Sequence, residues 1–190
     1  MTLKNQTKLL FAQELEQMLK VMPMEKIRIV DLCKRCGTIT QTFYYHFHDK
    51  YELVAWIFLY DFSLIYGDKK PEYSIASITK NLTQMEQRKT FYQKTYTDNS
   101  QNSINKYIQK FNVISAKNAV EKYYQTSLTA EQEYAIKYHS YGSMGLFNEW
   151  LNNQTPITIE QLATFQYKHT PKFLKVAYQN YPFRNSKIFR

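Results

Sequence analysis

The stretch Lys26–Trp56, KIRIVDLCKRCGTITQTFYYHFHDKYELVAW, decides the fold. Ile27, Ile29, Val30, Leu32 and Cys33 begin an apolar helical pattern that stops at Gly37, a residue suited to the left-handed backbone that follows a helix end. Thr38-Ile39-Thr40-Gln41 then has the form of a capping box, with a hydroxyl first and a glutamine three positions on, and predicts a new helix. That helix is short, because Asp49-Lys50-Tyr51-Glu52 is a second start signal, an Asp cap with Glu in the first turn. Helix, glycine turn, short helix and firmly capped long helix, with basic and aromatic side chains gathered at the second element, form the arrangement a helix-turn-helix needs to lay one helix in a DNA groove.

Working outward, Leu10, Phe11, Leu15, Met18, Leu19 and Met22 recur at helical spacing ahead of Pro23. On the other side, Leu53, Val54, Ile57, Phe58 and Phe62 carry a helix from Lys50 to about Tyr66. After Gly67–Pro71, residues Ile75 to about Tyr96 read as one or two helices. The polar TDNSQNS segment, Thr97–Ser103, leads into a helix over Ile104 to about Tyr124. Thr129-Ala130-Glu131-Gln132 opens another that runs to Asn152, and Thr158–Gln161 repeats the device. Thr170-Pro171 places a proline at a first helical position, followed by a last helix from Lys172 to about Tyr178. The expected fold is all-α, with eight or nine helices and no internal repeat.

Composition agrees with that class. The chain has 190 residues, 44% of them hydrophobic, with only 4 Gly and 5 Pro, so breakers are scarce and one substantial core is affordable. No run of about 18 apolar residues appears and the N-terminus lacks the apolar core of a signal peptide, so the expected location is the cytoplasm, away from the membrane. The two cysteines, Cys33 and Cys36, are no disulfide framework. Net charge is +9, and residues 161–190 hold six basic side chains and no acidic one. A basic surface of this kind favours a polyanion and equally serves solubility. The tail from Thr170, TPKFLKVAYQNYPFRNSKIFR, interleaves basic and aromatic residues; it reads either as a last helix with a frayed end or as an extra contact to nucleic acid or an acidic partner.

Residues 26–57 resemble the DNA-binding region of the TetR family of transcription regulators. Ile27-Arg28-Ile29-Val30-Asp31-Leu32 matches the family's I-x-V-x-D-[IL] opening, Gly37 its turn, and Thr42-Phe43-Tyr44-Tyr45-His46-Phe47 its T-F-Y-x-H-F string. QTFYYHF-x-DKYEL-x-x-W is similar, more narrowly, to the branch of dihydroxyacetone kinase operon regulators. A fainter similarity to that branch's C-terminal region lies in Tyr141-Gly142-Ser143-Met144-Gly145-Leu146 and Glu149-Trp150-Leu151. The resemblance implies an N-terminal three-helix DNA-binding domain over residues 1–48. A long helix would join it to a helical domain over 49–190 for dimerisation and for a small-molecule or protein effector. It implies a homodimeric regulator acting on an operator in double-stranded DNA.

On that pattern Phe43 and Phe47, four apart, face the core. Arg28, Tyr44, His46 and Lys50 would meet phosphates, and Thr40, Gln41 and Tyr45 would face base edges, flanked by Thr38 and Thr42. Gln41 cannot fully serve both as cap partner and as base reader. The chain departs from the branch at Ile39-Thr40, where basic residues are usual. Losing two cations near a duplex removes two electrostatic contacts, so the alternative to an operator-binding regulator is a protein-interaction module on the same fold.

The remaining patterns carry less chemistry. Cys33-x-x-Cys36 has the spacing of a redox or zinc half-site, yet no second pair exists, and helix packing accounts for both residues. His46 and His48 are two apart and diverge on a helix. No nucleophile elbow, phosphate loop or H-E-x-x-H occurs, so no enzyme, metal site or cofactor is expected. The 130–152 helix is apolar over more than one face. Tyr138, Tyr141, Gly142, Gly145 and Trp150 are its candidate dimer contacts, and the glycines suit a close helix approach. Tyr92, Tyr96, Phe111, Tyr123 and Phe147 are candidates for an effector cavity, or simply core.

Overall fold

Helix caps set the element boundaries. In the computed structural model, residues 3–66, 72–96 and 104–180 are described, and the described residues contain ten α-helices. These are α1 (Leu3–Val21), α2 (Ile29–Arg35), α3 (Thr40–His46), α4 (Lys50–Tyr66), α5 (Ile75–Gln87), α6 (Lys89–Tyr96), α7 (Ile104–Tyr124), α8 (Ala130–Leu151), α9 (Ile159–His169) and α10 (Lys172–Asn180). A short 3-10 turn, Met24–Lys26, lies between α1 and α2. The all-helical expectation holds, with more helices than the eight or nine expected. The 75–96 segment is cut at Arg88, which leaves helical geometry (φ −113°, ψ 25°) and pairs with Asp61.

Three predicted starts are built as expected. The Asp49 carboxylate accepts from the N–H groups of Tyr51 (2.9 Å) and Glu52 (2.8 Å), while Glu52 reaches back to the N–H of His48. Thr129 and Gln132 form a reciprocal box, as do Thr158 and Gln161. A third box, Ser74 with Ser77, opens α5. Pro171 sits one residue ahead of the first full turn rather than within it, its carbonyl accepting from Lys175 N–H at 2.9 Å. The segments Gly67–Pro71 and Thr97–Ser103, and residues 181–190 of the basic tail, lie outside the described residues. Among the described residues no helix is long and apolar enough to cross a membrane.

The described residues fall into two compact units. The first takes in residues 3–60, 90–96 and 104–107. Its core is built on Phe11, Leu15 and Leu19 of α1, Leu32 of α2, Phe43 of α3 with Phe47 just beyond it, and Leu53 and Val54 of α4. Burying several aromatic rings of this size, at about 25 cal/mol per Å² of apolar surface, is what a unit of such short helices has to hold it together. The boundary expected at residue 48/49 falls inside this unit, for identifiable reasons. The Lys94 ammonium of α6 caps the end of α1, donating to the carbonyls of Leu19 (2.6 Å) and Lys20 (3.2 Å). Tyr92 meets Phe58 edge-on at 6.3 Å, and Tyr107 donates to Asp49 at 3.0 Å.

The second unit holds residues 61–66, 72–89 and 108–180. Its α5 packs mainly on α9, and α9 also on α8. Ala116, Ala119 and Val120 of α7 meet Ile136 of α8 and Leu174 and Ala177 of α10 in one buried cluster. Small residues there let three helices approach closely. At the opposite end of α8, Met144, Phe147, Trp150 and Leu151 are buried.

Candidate nucleic-acid interface

The turn between α2 and α3 is set by Gly37, whose φ of +63° lies in the left-handed region. Thr38 N–H returns to the carbonyl of Cys33 (2.9 Å) and Gly37 N–H to that of Lys34 (3.1 Å), the paired bonds of a Schellman motif. That motif fixes where α3 begins. Thr38 is spent in closing α2, so the predicted Thr38–Gln41 capping box is not formed. Ile39 takes the cap position without a side-chain bond, and the Thr38 hydroxyl turns to the Ile39 carbonyl at 3.5 Å. Gln41, released from any cap role, stands exposed on the first turn of α3.

Two phenylalanines lock the helix down. Phe43 meets Phe11 of α1 edge-on at 5.2 Å and Phe47 at 5.6 Å, and Phe47 meets Trp56 of α4 at 6.1 Å. With that face committed, the other face of α3 carries Gln41, Tyr44 and Tyr45, the last 71% exposed, with Thr40 and Thr42 half-buried at its margin. Ile39, at 64% exposure, stands at the head of this face. Ile27 and Arg28 just ahead of α2, and Ile29 and Val30 at its start, join Thr40, Tyr44 and the Asp49–Tyr51 corner where α4 begins around a depression of about 440 Å³.

Two expected phosphate contacts are corrected. His46 is 5% exposed, its ring packed against Phe11 and Tyr45, because position 46 of so short a helix turns back toward α1. Lys50 is engaged elsewhere. Its ammonium donates to the carbonyls of Met24 (2.6 Å), Ile27 (2.9 Å) and Glu25 (3.2 Å), tying the 3-10 turn to the start of α4. An ammonium has three donors, and three carbonyls take them.

Arg28 is exposed and bonded to Asp31 at 2.7 Å. The pair's hydrogen bond raises the guanidinium pKa and lowers that of the carboxyl. Asp31 thus holds Arg28 at the rim while offsetting part of its charge. Lys26 and Lys34 are also exposed in this region and were not singled out from the sequence. Their signal was only that they lie within two residues of the ends of the Ile27–Leu32 motif. Arg35 pairs with Glu14 at 2.8 Å. Cys36 is pushed up to about 12 by burial and then by the Glu14 charge, and Cys33 is raised by burial, so both thiols are packing residues. Among the described residues no group of three or more His, Cys, Asp or Glu side chains could hold a metal ion.

The other expected sites separate on inspection. On α8, Tyr138 (84% exposed), Tyr141, Gly142 and Gly145 share an open face with Tyr134, and a Cβ added at either glycine would meet nothing within 4 Å. Trp150 does not join them. It is 5% exposed, packed on Phe147 at 5.8 Å with the Lys89 ammonium over its ring, because nine residues beyond Tyr141 the helix has turned to its buried side. Of the candidate cavity residues, Tyr92 and Tyr96 are core of the first unit, and Phe111 and Phe147 are buried in the second. Tyr123 is exposed at the end of α7, its ring against Tyr124. Neither unit gathers the five around a cavity.

Residues 74–169, just over half of the chain, match the family model described as the transcriptional regulator C-terminal region. Among solved structures the chain is similar to the dihydroxyacetone kinase operon activator DhaS, at 18% identity and a TM-score of 0.53, over 93% of this chain and 98% of that one. At that identity the likeness is one of fold. No curated protein matches the chain in sequence.

Proposed function

Because the chain belongs to the TetR family of transcription regulators, we propose that it works as a homodimer whose α3 helices read an operator in double-stranded DNA, as a repressor or an activator. The observation that carries this reading is the division of α3 into two faces. Phe43 and Phe47 fasten one to α1 and α4, and the other presents Gln41, Tyr44 and Tyr45, with Thr40 at its edge. A recognition helix needs that combination, since a base reader must be rigid before it can discriminate. The functional DNA-binding head is residues 1–48, although the compact unit is larger.

The roles follow from side-chain chemistry. Tyr44 and Arg28, together with Thr38 and Thr42, position the helix on phosphates; Thr40, Gln41 and Tyr45 meet base edges. Arg28 exchanges Asp31 for a phosphate at little cost, because both side chains are already at the surface. The homodimer forms through the open face of α8, where Tyr138 and Tyr141 supply aromatic contact area and Gly142 and Gly145 let two helices approach. The effector that shifts the dimer between its states is a small molecule or a protein, bound by the second domain. No cofactor and no catalytic group take part, and the regulator works in the cytoplasm.

A second reading, a protein-interaction module on the same fold, rests on the exposed Ile39 and on the engagement of Lys50 with backbone carbonyls. Titration of the purified chain against fragments spanning its own promoter, at two salt concentrations, separates the two. The regulator gives saturable, sequence-selective binding that collapses in Tyr44→Ala, and a dimer in sedimentation that dissociates in Tyr138→Asp. Binding that is non-selective, or indifferent to Tyr44→Ala, supports the interaction module instead.

A further inference from the structure

We infer that this head reads A·T base pairs, through the methyl groups of thymine and the edge of adenine, and that Ile39 and Gln41 are its specificity-determining residues; the inference rests on the operator reading above. The commonest way for a protein to read a guanine is an Arg or Lys bonded to its O6 and N7 in the major groove. Residues 36–49, which span the turn, α3 and the approach to α4, contain no Arg and no Lys. The histidines of the stretch do not replace them. His46 is buried, and His48 lies past the end of α3, with its Nδ1 3.4 Å from the Asp49 carboxylate.

What the leading end of α3 offers instead is an amide and methyl groups. Gln41 has the paired donor and acceptor that match N7 and N6 of adenine, and the Schellman turn relieves it of any capping duty. Ile39 projects a branched apolar side chain, 64% exposed, one residue ahead of the helix. Thr40 brings a further methyl at the edge of the depression that Val30, itself exposed, also lines. The C5 methyl of thymine is the one apolar group a base pair shows in the major groove, and Ile39 and Thr40 stand at the end of the helix that reaches base edges in such motifs. An exposed isoleucine, costly beside a charged backbone, acquires a partner there.

The test is selection of bound duplexes from a random pool by the full-length chain, followed by base-analogue substitution in the winning site. The selected half-site should centre on A·T pairs. Replacing its thymines with uracil, which deletes only the methyl, should weaken binding about fourfold per contacted base, since a buried methylene is worth about 0.8 kcal/mol. Ile39→Ala should lose most of the discrimination between the thymine and uracil sites, and the Ile39→Ala, Thr40→Ser double variant the rest. Replacing adenine with 7-deazaadenine should cost the wild type about fivefold or more and leave Gln41→Ala unmoved, as expected for loss of one arm of a bidentate contact. A G·C-centred motif, or wild-type binding indifferent to both analogues, overturns the inference while leaving the operator reading intact. A pool that stays random overturns both.

Discussion

Lys50→Met separates two roles that the sequence alone leaves superimposed. Methionine keeps the apolar stem and removes the ammonium. In the structure the Nζ atom donates to three carbonyls, those of Met24 and Ile27 at part-buried positions and that of Glu25 at an exposed one. A hydrogen bond to a charged group contributes about 1.5–3 kcal/mol net, and carbonyls near the surface recover part of that from water. The expected cost to the first unit is therefore about 2–3 kcal/mol, against about 0.5 kcal/mol or less for an ordinary surface lysine. The chain has two tryptophans, Trp56 in the first unit and Trp150 in the second, so urea unfolding in a Trp150→Phe background follows the first unit alone. Salt dependence of DNA binding supplies the second arm. A lysine on a phosphate adds about 0.9 per protomer to the slope of log K against log salt, and its removal subtracts as much. The expected outcome is a lowered midpoint with an unchanged slope. An unchanged midpoint with a slope reduced by about two for the dimer would refute the structural role assigned here.

Gly37→Ala should cost about 1–2 kcal/mol on the same reporter, from left-handed backbone strain alone, since the added Cβ meets open space. Gly37→Asn, which tolerates that region better, should cost less. His139 is held at about 4, chiefly by burial and then by the Lys175 charge, with Thr170 Oγ1 3.3 Å from its ring. Its folded pKa lies below its unfolded one, so the unfolded state binds more protons between about pH 6.5 and 4. Stability is full above that window and falls across it on acidification, by up to about 3 kcal/mol. The pH dependence of wild type minus that of His139→Gln should isolate this loss; parallel curves would count against it. Cys33 and Cys36, both raised by burial, should resist iodoacetamide at pH 8 in the folded chain and react at once in urea. Rapid modification of the native chain would restore the reactive reading of the C-x-x-C spacing.

Local signals were the legible ones. Gly37, the Asp49 cap and the Thr129 and Thr158 boxes each involve residues within a few positions of one another, and each formed where the sequence placed it. Thr38 misled because the Schellman closure of α2, not side-chain preference, set the start of α3 and put Ile39 rather than a hydroxyl at the cap position. The Ser74–Ser77 box went unread because a second serine replaces the usual Glu or Gln. Lys50 was illegible for a different reason, as its carbonyl partners lie 23 to 26 residues earlier. On α8 the apolar residues run round the helix, so periodicity could not say that Tyr138 faces outward and Trp150 inward. That choice is made by packing with Phe147 and Lys89, which no local pattern encodes.

The central claim is that a rigid α3, presented twice by a dimer, enters the major groove of an operator. A chemical footprint of the full-length chain on its own promoter region tests it most directly. Two protected major-groove segments on one face of the duplex, a whole number of helical turns of about 10–10.5 base pairs apart, are expected, and both should vanish in Tyr44→Ala. No protection at any salt concentration, or protection that persists in Tyr44→Ala, would contradict it.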